Sequence, residues 1–436
     1  MRGLIVSLGV LAALMPGTVA ADTLTEAMVS AAESNPTLAA QRQRLRATRE
    51  ALPQAWAEAL PQVSVSGVAS MTDRDNEVSF LDTDRQEDWT ASASASQLLF
   101  GSGRVVASTR AARAQIRGAV ADYDQALQIL LLDVTRAYAD VRQTQQIVAA
   151  REQTVSNLTR LLEYAQAQFD AGIVTRTDVA QSQARLAQAR TLLVQAQGQM
   201  AAAVQAYLRL VGRPPSNLQP PPRAEGLPRE LQIALDSAGR NSPVLRSAIA
   251  DTELADANVD VAASQGRLRV TLEAGSSIGG DDFDTGGSET SSDSVGVRAT
   301  IPLFNGGLVR SRTRQQRALR SAANLDLAAA QRAVQEAVTN AWTGLASAQA
   351  SVQSAREQVE AAELAYEGVR LEQETGLRAT FEVLEQEQNL LDARLALAQA
   401  ERDLVVAERQ LLASVGALGV PQTSGAEPPE DDLRGR

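Results

Sequence analysis

The chain of 436 residues contains no cysteine, no histidine and no lysine; all 41 of its basic residues are arginine. Without Cys or His it can build neither a structural zinc site, nor a Ser-His triad, nor a thiol nucleophile. Without Lys it has no P-loop lysine and no Schiff-base amine. Aromatics are scarce, with three Trp, five Tyr and six Phe. That leaves no aromatic-rich sugar cleft for a hydrolase working with paired Asp and Glu. The net charge of −11 argues against nucleic acid as a partner. No catalytic residue, cofactor site or metal ligand is therefore expected. A long apolar run is also missing: nothing beyond the N-terminus approaches the ~20 residues of a membrane helix.

The N-terminus has the pattern of an export signal. Arg2 is the basic start, Leu4 to Leu14 is apolar, Pro16-Gly17 breaks the run, and Thr18-Val19-Ala20 suits a signal peptidase. Residues 1–20 are expected to be removed. No Cys follows to carry a lipid anchor. At the other end, the polar residues 421–436 are expected to be a disordered tail.

The remainder is written twice. "LLFGSGRV" (Leu98 to Val105) returns 204 residues later as "PLFNGGLV" (Pro302 to Val309), so that Phe100 answers Phe304 and Gly103 answers Gly307. "AGIVTRTDV" from Ala171 returns at the same offset as "TGLRATFEV" from Thr375. Nearer the N-terminus the offset is 207: "NPTLAAQ" from Asn35 faces "SPVLRSA" from Ser242. The chain divides into a first repeat (21–215), a Pro-rich linker (216–226) and a second repeat (227–420).

Each repeat should hold two long helices. No proline occurs between Pro61 and Pro214 or between Pro302 and Pro421. A helix from Arg104 to Ala171 would reach about 100 Å. Val334, Val338, Ala341, Leu345, Ala348, Val352, Ala355, Val359, Ala362, Tyr366 and Val369 step by four and three without a slip, the heptad of a coiled coil. The return helices agree, through Val179, Leu186, Leu193, Met200 and Tyr207, and through Val383, Leu390, Leu397, Leu404 and Leu411.

Each repeat also holds two alternating stretches that predict strands, around Val63–Met71, Trp89–Ser96, Val270–Ile278 and Ser294–Ile301. They have the length of tilted membrane strands, but a soluble hairpin with one wet face would read alike. The segments between them, "TDRDNEVSFLDTDRQED" and "GGDDFDTGGSETSSD", are expected to be acidic surface loops. Four strands cannot close a barrel, since the smallest use about 8. An open sheet would leave bare edges in lipid. Strands in a membrane would need several chains per barrel, two giving eight strands and three giving twelve.

The ordered set "SNPTL", "LPQVSVSG", "LFGSGR", "AGIVTRTDV", "PLFNGGL" and "TGLRATFEVLEQ" resembles the TolC family of outer-membrane efflux and secretion channels over essentially the whole mature chain. The resemblance implies a mixed fold: a homotrimer sharing a twelve-stranded β-barrel in outer-membrane lipid, above a long α-helical coiled-coil tunnel in the periplasm. It implies a passive conduit, opened by a periplasmic membrane-fusion adaptor and an inner-membrane transporter, for efflux or type I protein secretion. An exported coiled-coil filament protein is the alternative.

By the same resemblance, Phe100, Gly101 and Gly103, with Phe304, Gly306 and Gly307, are the strand-to-helix junctions. Gly172, Ile173 and Val174, with Gly376 and Leu377, are where an adaptor docks. Arg378, with Thr177 and Asp178 of a neighbouring helix pair, closes a periplasmic gate, with Gln373 where the best-known member has a Tyr. Glu382 and Glu385 form a cation-selective ring. Neighbouring Glu372, Glu374 and Glu387 count only as further acids of the same surface.

Overall fold

A computed structural model of the chain describes residues 22–74, 84–281, 283 and 288–420. The expected signal peptide and C-terminal tail lie outside the described residues. In chain order the elements are α1 (Leu24–Ser34), α2 (Pro36–Arg49), α3 (Ala51–Ala57), β1 (Gln62–Arg74), β2 (Asp84–Phe100), α4 (Arg104–Asp170), α5 (Arg176–Val211), α6 (Leu231–Asn241), α7 (Pro243–Ser264), β3 (Arg269–Gly280), β4 (Glu289–Thr300), α8 (Leu308–Glu374) and α9 (Thr380–Ser414).

The duplication holds at the level of element boundaries. α4 and α8 are each 67 residues long and begin 204 residues apart. α1 and α6 match at an offset of 207, and so do the outer ends of α2–α3 and α7. The repeats differ in two places: α7 is unbroken where α2 and α3 are separated at Glu50, and β4 ends at Thr300, four residues short of the equivalent of Phe100 at the end of β2. Pro53 explains the break: its ring clashes with the carbonyl four residues back, that of Arg49, and it supplies no N–H.

The described residues form two compact units. One holds residues 40–126 and 237–336, with the sheet, α3 and α7. Its four strands are antiparallel in the order β1-β2-β3-β4, with β1 and β4 as the edges. The hairpins run further than the sequence pattern suggests. Thr72↔Gln86, Asp73↔Arg85 and Arg74↔Asp84 continue the β1–β2 ladder into the segment expected to be an acidic loop, and β4 begins at Glu289. A ladder needs only backbone partners, so polar side chains do not end it where both faces are wet.

The other unit holds residues 22–39, 127–236 and 337–420. Here the heptad positions Val338 to Ala355 of α8 and Leu390 and Leu411 of α9 are buried. α8 and α9 pack through Val352, Ala355, Ala400, Leu397 and Leu404. α4, α5 and α9 meet at Leu158, Leu186 and Leu384. No helix among the described residues is long and apolar enough to cross a membrane.

A buried clasp ties the linker to this unit. The Asp22 carboxylate accepts from the Ser216 backbone N–H at 3.1 Å and pairs with Arg213 at 2.8 Å. The Tyr138 hydroxyl lies within hydrogen-bond reach of two carbonyls, those of Asp22 (2.8 Å) and Gln219 (2.7 Å). Tyr207 packs beside Tyr138 with ring centroids 6.4 Å apart. Nearby, buried Glu408 accepts from the Ala224 N–H and pairs with Arg409, which donates to the Pro222 carbonyl.

Burial pushes the Tyr138 hydroxyl up to about 12. A raised folded-state pKa favours the neutral phenol. Its contribution to stability is complete below about pH 10, the ordinary tyrosine value, and is lost as pH rises through about 12. Tyr138→Phe leaves buried carbonyls short of a donor and is expected to cost about 1–3 kcal/mol at neutral pH. It is also expected to flatten alkaline unfolding in that window. Both are read by circular dichroism in detergent, and an unchanged melting temperature would count against the clasp.

Candidate functional site

The two strand-to-helix junctions are built alike. Ser102 (φ 48°) and Gly103 (φ 86°) precede α4; Gly306 (φ 61°) and Gly307 (φ 80°) precede α8. Two consecutive left-handed residues turn the chain sharply out of the sheet, a conformation cheap for glycine. Gly101 serves differently from Gly103: it has no positive φ, and a Cβ there would stand 3.0 Å from the Leu98 side chain. Ser102, which sequence reading passed over, carries the left-handed turn as a non-glycine, and its hydroxyl donates to the Leu268 carbonyl at 2.6 Å. Phe100 and Phe304 end exposed.

The two hairpin turns are also equivalent. Gly172 (φ 74°) and Gly376 (φ 78°) are left-handed. Ile173 N–H bonds the Gln168 carbonyl and Leu377 N–H bonds the Glu372 carbonyl, both at 2.9 Å, the Schellman closure of a helix end. It leaves Ile173 and Leu377 exposed, as is Phe381 in the first turn of α9, and Val174 half-buried. α5 then starts from a capping box: the Asp178 carboxylate accepts from the Thr175 hydroxyl at 2.8 Å and its N–H at 2.9 Å. The hydroxyl contact, more than the backbone one, holds this carboxyl below its ordinary value. Both bonds use Oδ2. Thr177 is exposed.

Within the chain, Arg378 engages its own hairpin rather than Thr177 or Asp178. Its Nε reaches Glu372 at 2.8 Å and its Nη1 reaches Glu382 at 2.7 Å. Glu382 is thus paired, while Glu385 is exposed; both lie away from buried Val383 and Leu384, as helical periodicity requires.

Glu387 corrects the sequence reading. It is no surface acid: only 4% of it is exposed. Its carboxylate accepts from Asn157 Nδ2 at 3.0 and 3.1 Å, with the Tyr366 hydroxyl close enough to feel its charge. Asn157 in turn accepts from Gln153 and Arg160. One carboxylate of α9 thereby joins α4 and α8. Burial, and then the Glu387 charge, push the Tyr366 hydroxyl up to about 12. The signal was in the sequence: 383, 387 and 390 follow the seam spacing. Gln373 is buried too.

The sheet has two unlike faces. Val63, Val65, Ala69, Met71, Trp89, Ala91, Ala93, Ala95, Leu272, Ala274, Ile278, Val295 and Val297 share one by register. Its valines are largely exposed. The other face is small and polar, with Ser64–Ser94 and Ser66–Ser92 hydroxyl pairs at 2.8 Å. It carries one charge pair at the same depth as the valines, Arg298 Nε to Glu273 at 2.8 and 2.9 Å.

The model of the family described as "Outer membrane efflux protein" matches residues 27–213 and 234–417, one match per repeat. The chain belongs to this family. It is 31% identical to the outer membrane efflux protein BepC of Brucella suis, over 94% of this chain and 90% of that one. It is 25% identical to the outer membrane protein TolC of Vibrio cholerae, over 91% of each. Its fold is similar to that of the outer-membrane channel OprN, with TM-score 0.78, 23% identity and 91% of each chain covered.

The protein is an outer-membrane efflux channel protein, and the two faces of its sheet follow from that setting. Charges at membrane depth must turn away from lipid, so Glu273 and Arg298 mark the water-filled side of the barrel and the valines mark the lipid side. The loop-side limit of the apolar band moves along successive strands. It ends at Val295 on β4, opposite Ala274; at Ile278 on β3, opposite Ala91; at Trp89 on β2, opposite Ala69; and at Met71 on β1. A flat bilayer surface produces this drift when it cuts tilted strands.

Glu387→Ala is expected to orphan Asn157 and Tyr366 and to cost about 2 kcal/mol. Hydrogen exchange should rise around 366–390 in α8 and α9 and around Asn157, while the sheet is unaffected. Exchange unchanged from wild type would show that the node carries no load.

Proposed function

We propose that three copies of the chain form one conduit, each supplying four strands to a closed twelve-stranded barrel and its helix pairs to a periplasmic tunnel. The single observation that carries this reading is the sheet itself: a lipid-facing apolar band on four strands whose outer edges, β1 and β4, lack partners among the described residues. Unpaired backbone edges are not tolerated in hydrocarbon, and closure across three chains removes them. The efflux named for its relatives then takes place through the shared lumen. With neither a nucleotide site nor a titrating catalytic group in this reading, the driving energy comes from an inner-membrane transporter, coupled by a periplasmic adaptor. Exposed Ile173, Leu377 and Phe381 at the Schellman turns suit adaptor docking.

The resemblance suggests a gate role for Arg378. The free Oδ1 of Asp178 can take a guanidinium from a neighbouring chain, because the capping box uses only Oδ2. The gate and the ring are coupled through Glu382, which Arg378 holds in its own hairpin. The unpaired charge of the ring is therefore Glu385.

Native mass measurement in detergent is expected to show a trimer; a stable monomer overturns the reading. Arg378→Ser is expected to raise single-channel conductance and, by freeing Glu382, to strengthen cation preference at the same time. Conductance equal to wild type would remove Arg378 from the gate. Replacing Glu382 and Glu385 together by Ala is expected to abolish cation preference and block by multivalent cations in planar bilayers. Retained selectivity and block would make both residues surface acids.

A further inference from the structure

We infer that the seam joining the two repeats inside one chain is copied between chains, so that residues already paired within the chain fix which residues meet across the trimer. The inference rests on the trimeric reading above. It adds a strand register and an ion pair, Arg44 with Asp326 of the neighbouring copy.

The template is the contact of the first repeat's exit with the second repeat's approach to the sheet. Phe100 lies opposite Val270, and Ser102 bonds Leu268. α4 meets α7 through Arg110–Asp260, Arg117–Glu253 and Asp124–Arg246, with Ser247 donating to Asp122 at 2.8 Å. The second repeat's exit has the same construction and no such partner. Leu99 and Phe100 are each 53% exposed, whereas their equivalents Leu303 and Phe304 are 92% and 90% exposed. The difference measures what the missing repeat would cover. The matching approach is that of the first repeat, α2–α3 and β1, which in a ring belongs to the next copy.

Applying the offsets of 204 and 207 to the β2–β3 register converts it into a β4–β1 register. Ser96↔Glu273 becomes Thr300↔Ser66, Ala95↔Ala274 becomes Ala299↔Gly67, and Ala93↔Ser276 becomes Val297↔Ala69. The conversion has an internal check. Side chains alternate with a period of two, so an odd error in register would set Val297 beside Val68 of the polar face. Instead Val297, Ala299 and Ile301 meet Ala69, Gly67 and Val65, all of the lipid face, and Thr300 meets Ser66 on the lumen face.

The helices follow the same rule with one instructive change. Inside the chain Asp251 of α7 stands one turn after Ser247, which bonds Asp122 of α4, and one turn before the Asp256–Arg320 pair to α8; burial, and then the charges of Asp122 and Asp326, raise its pKa. The position equivalent to Asp251 in the first repeat is Arg44, exposed on α2. Translated, Arg44, which is exposed within its own chain, faces Asp326 of the neighbouring copy. The seam within the chain is covalently guaranteed and tolerates three like charges. The seam between chains places a cation where the acids converge. None of the three in-chain α4–α7 ion pairs is reproduced there: Arg117 becomes Ser321 and Glu253 becomes Arg46. The Arg44–Asp326 pair is thus the main charged contact that this translation supplies.

The chain has no native cysteine, so introduced pairs report without background. Thr300→Cys with Ser66→Cys is expected to give covalent trimers on oxidation, visible on non-reducing gels. Thr300→Cys with Ser64→Cys, two residues out of register, is expected to lose that product. Linking of the 64 pair in preference to the 66 pair overturns the register and leaves the trimer standing. If neither pair links while the native mass of unmodified protein is that of one chain, the trimeric reading falls, and this inference with it. If neither links but the mass is that of three chains, the register alone falls. For the ion pair, Arg44→Asp is expected to reduce the fraction of trimer surviving heat in detergent, and Arg44→Asp with Asp326→Arg to restore it. A double reversal no better than the single one overturns the contact.

Discussion

Every larger feature of this molecule answers to one constraint: a backbone edge cannot stand bare in hydrocarbon. A four-stranded sheet with a lipid-facing apolar band leaves two such edges, β1 and β4. Duplication removes the problem inside the chain, because the second hairpin pairs with the first through β2 and β3. It does not remove it at the ends, where only another chain can. The conservation of element boundaries between the repeats has the same origin. A strand that entered one residue early would present serine to lipid and valine to water along its whole length. The left-handed pairs at residues 102–103 and 306–307 end each hairpin at an equivalent point, and so keep the phase of sheet and helix together.

Much of this architecture was legible in the residues because it is periodic. Heptads sustained over whole helices, a period of two in the strands and two constant offsets each repeat a signal often enough to overcome small, weakly hydrophobic side chains. What escaped was local and unrepeated. Glu387 reads as one acid among many, since composition says nothing about which face a carboxylate occupies. Only the spacing from Val383 and to Leu390 places it on the seam. Ser102 escaped because glycine is the expected bearer of a positive φ, and the serine pays for that backbone with a short bond to the Leu268 carbonyl. The hairpins were drawn too short because acidic side chains look like loops, although the ladder beneath them is indifferent to charge.

The arginine-only composition suits this kind of structure. Seams rich in alanine bring helices close and leave little room for flexible ammonium groups. A guanidinium has several donors fixed in one plane and can bind two acceptors at once. Arg402 spans Asp140 of α4 and Asp403 of its own helix, at 2.7 and 2.9 Å. Arg104 binds Glu58 through Nε and Nη2, at 3.0 and 3.2 Å. Such forks specify register more than they add stability, because exposed pairs contribute little. The buried nodes do the reverse. Glu387 and the Asp22 clasp are costly to disrupt, and each joins elements that are distant in sequence.

The departure from symmetry at Pro53 belongs to the same logic. α7 is one helix of 22 residues because it lies between α4 and α8 of its own chain and pairs with both: Arg110 and Arg117 reach it from α4, and Arg320 meets Asp256 at 3.2 Å from α8. The equivalent α2–α3 segment has α4 on one side, through Arg42 to the Tyr123 hydroxyl and Glu58 to Arg104. Its other side has no counterpart of α8 among the described residues. A straight helix there would repeat the geometry of the internal seam. A break at Glu50 lets α3 and the following strand take a direction of their own while α2 keeps its place against α4. In the proposed ring of three chains the two seams could then share a strand register and still differ in helix angle, so six near-identical repeats need not have six identical joints.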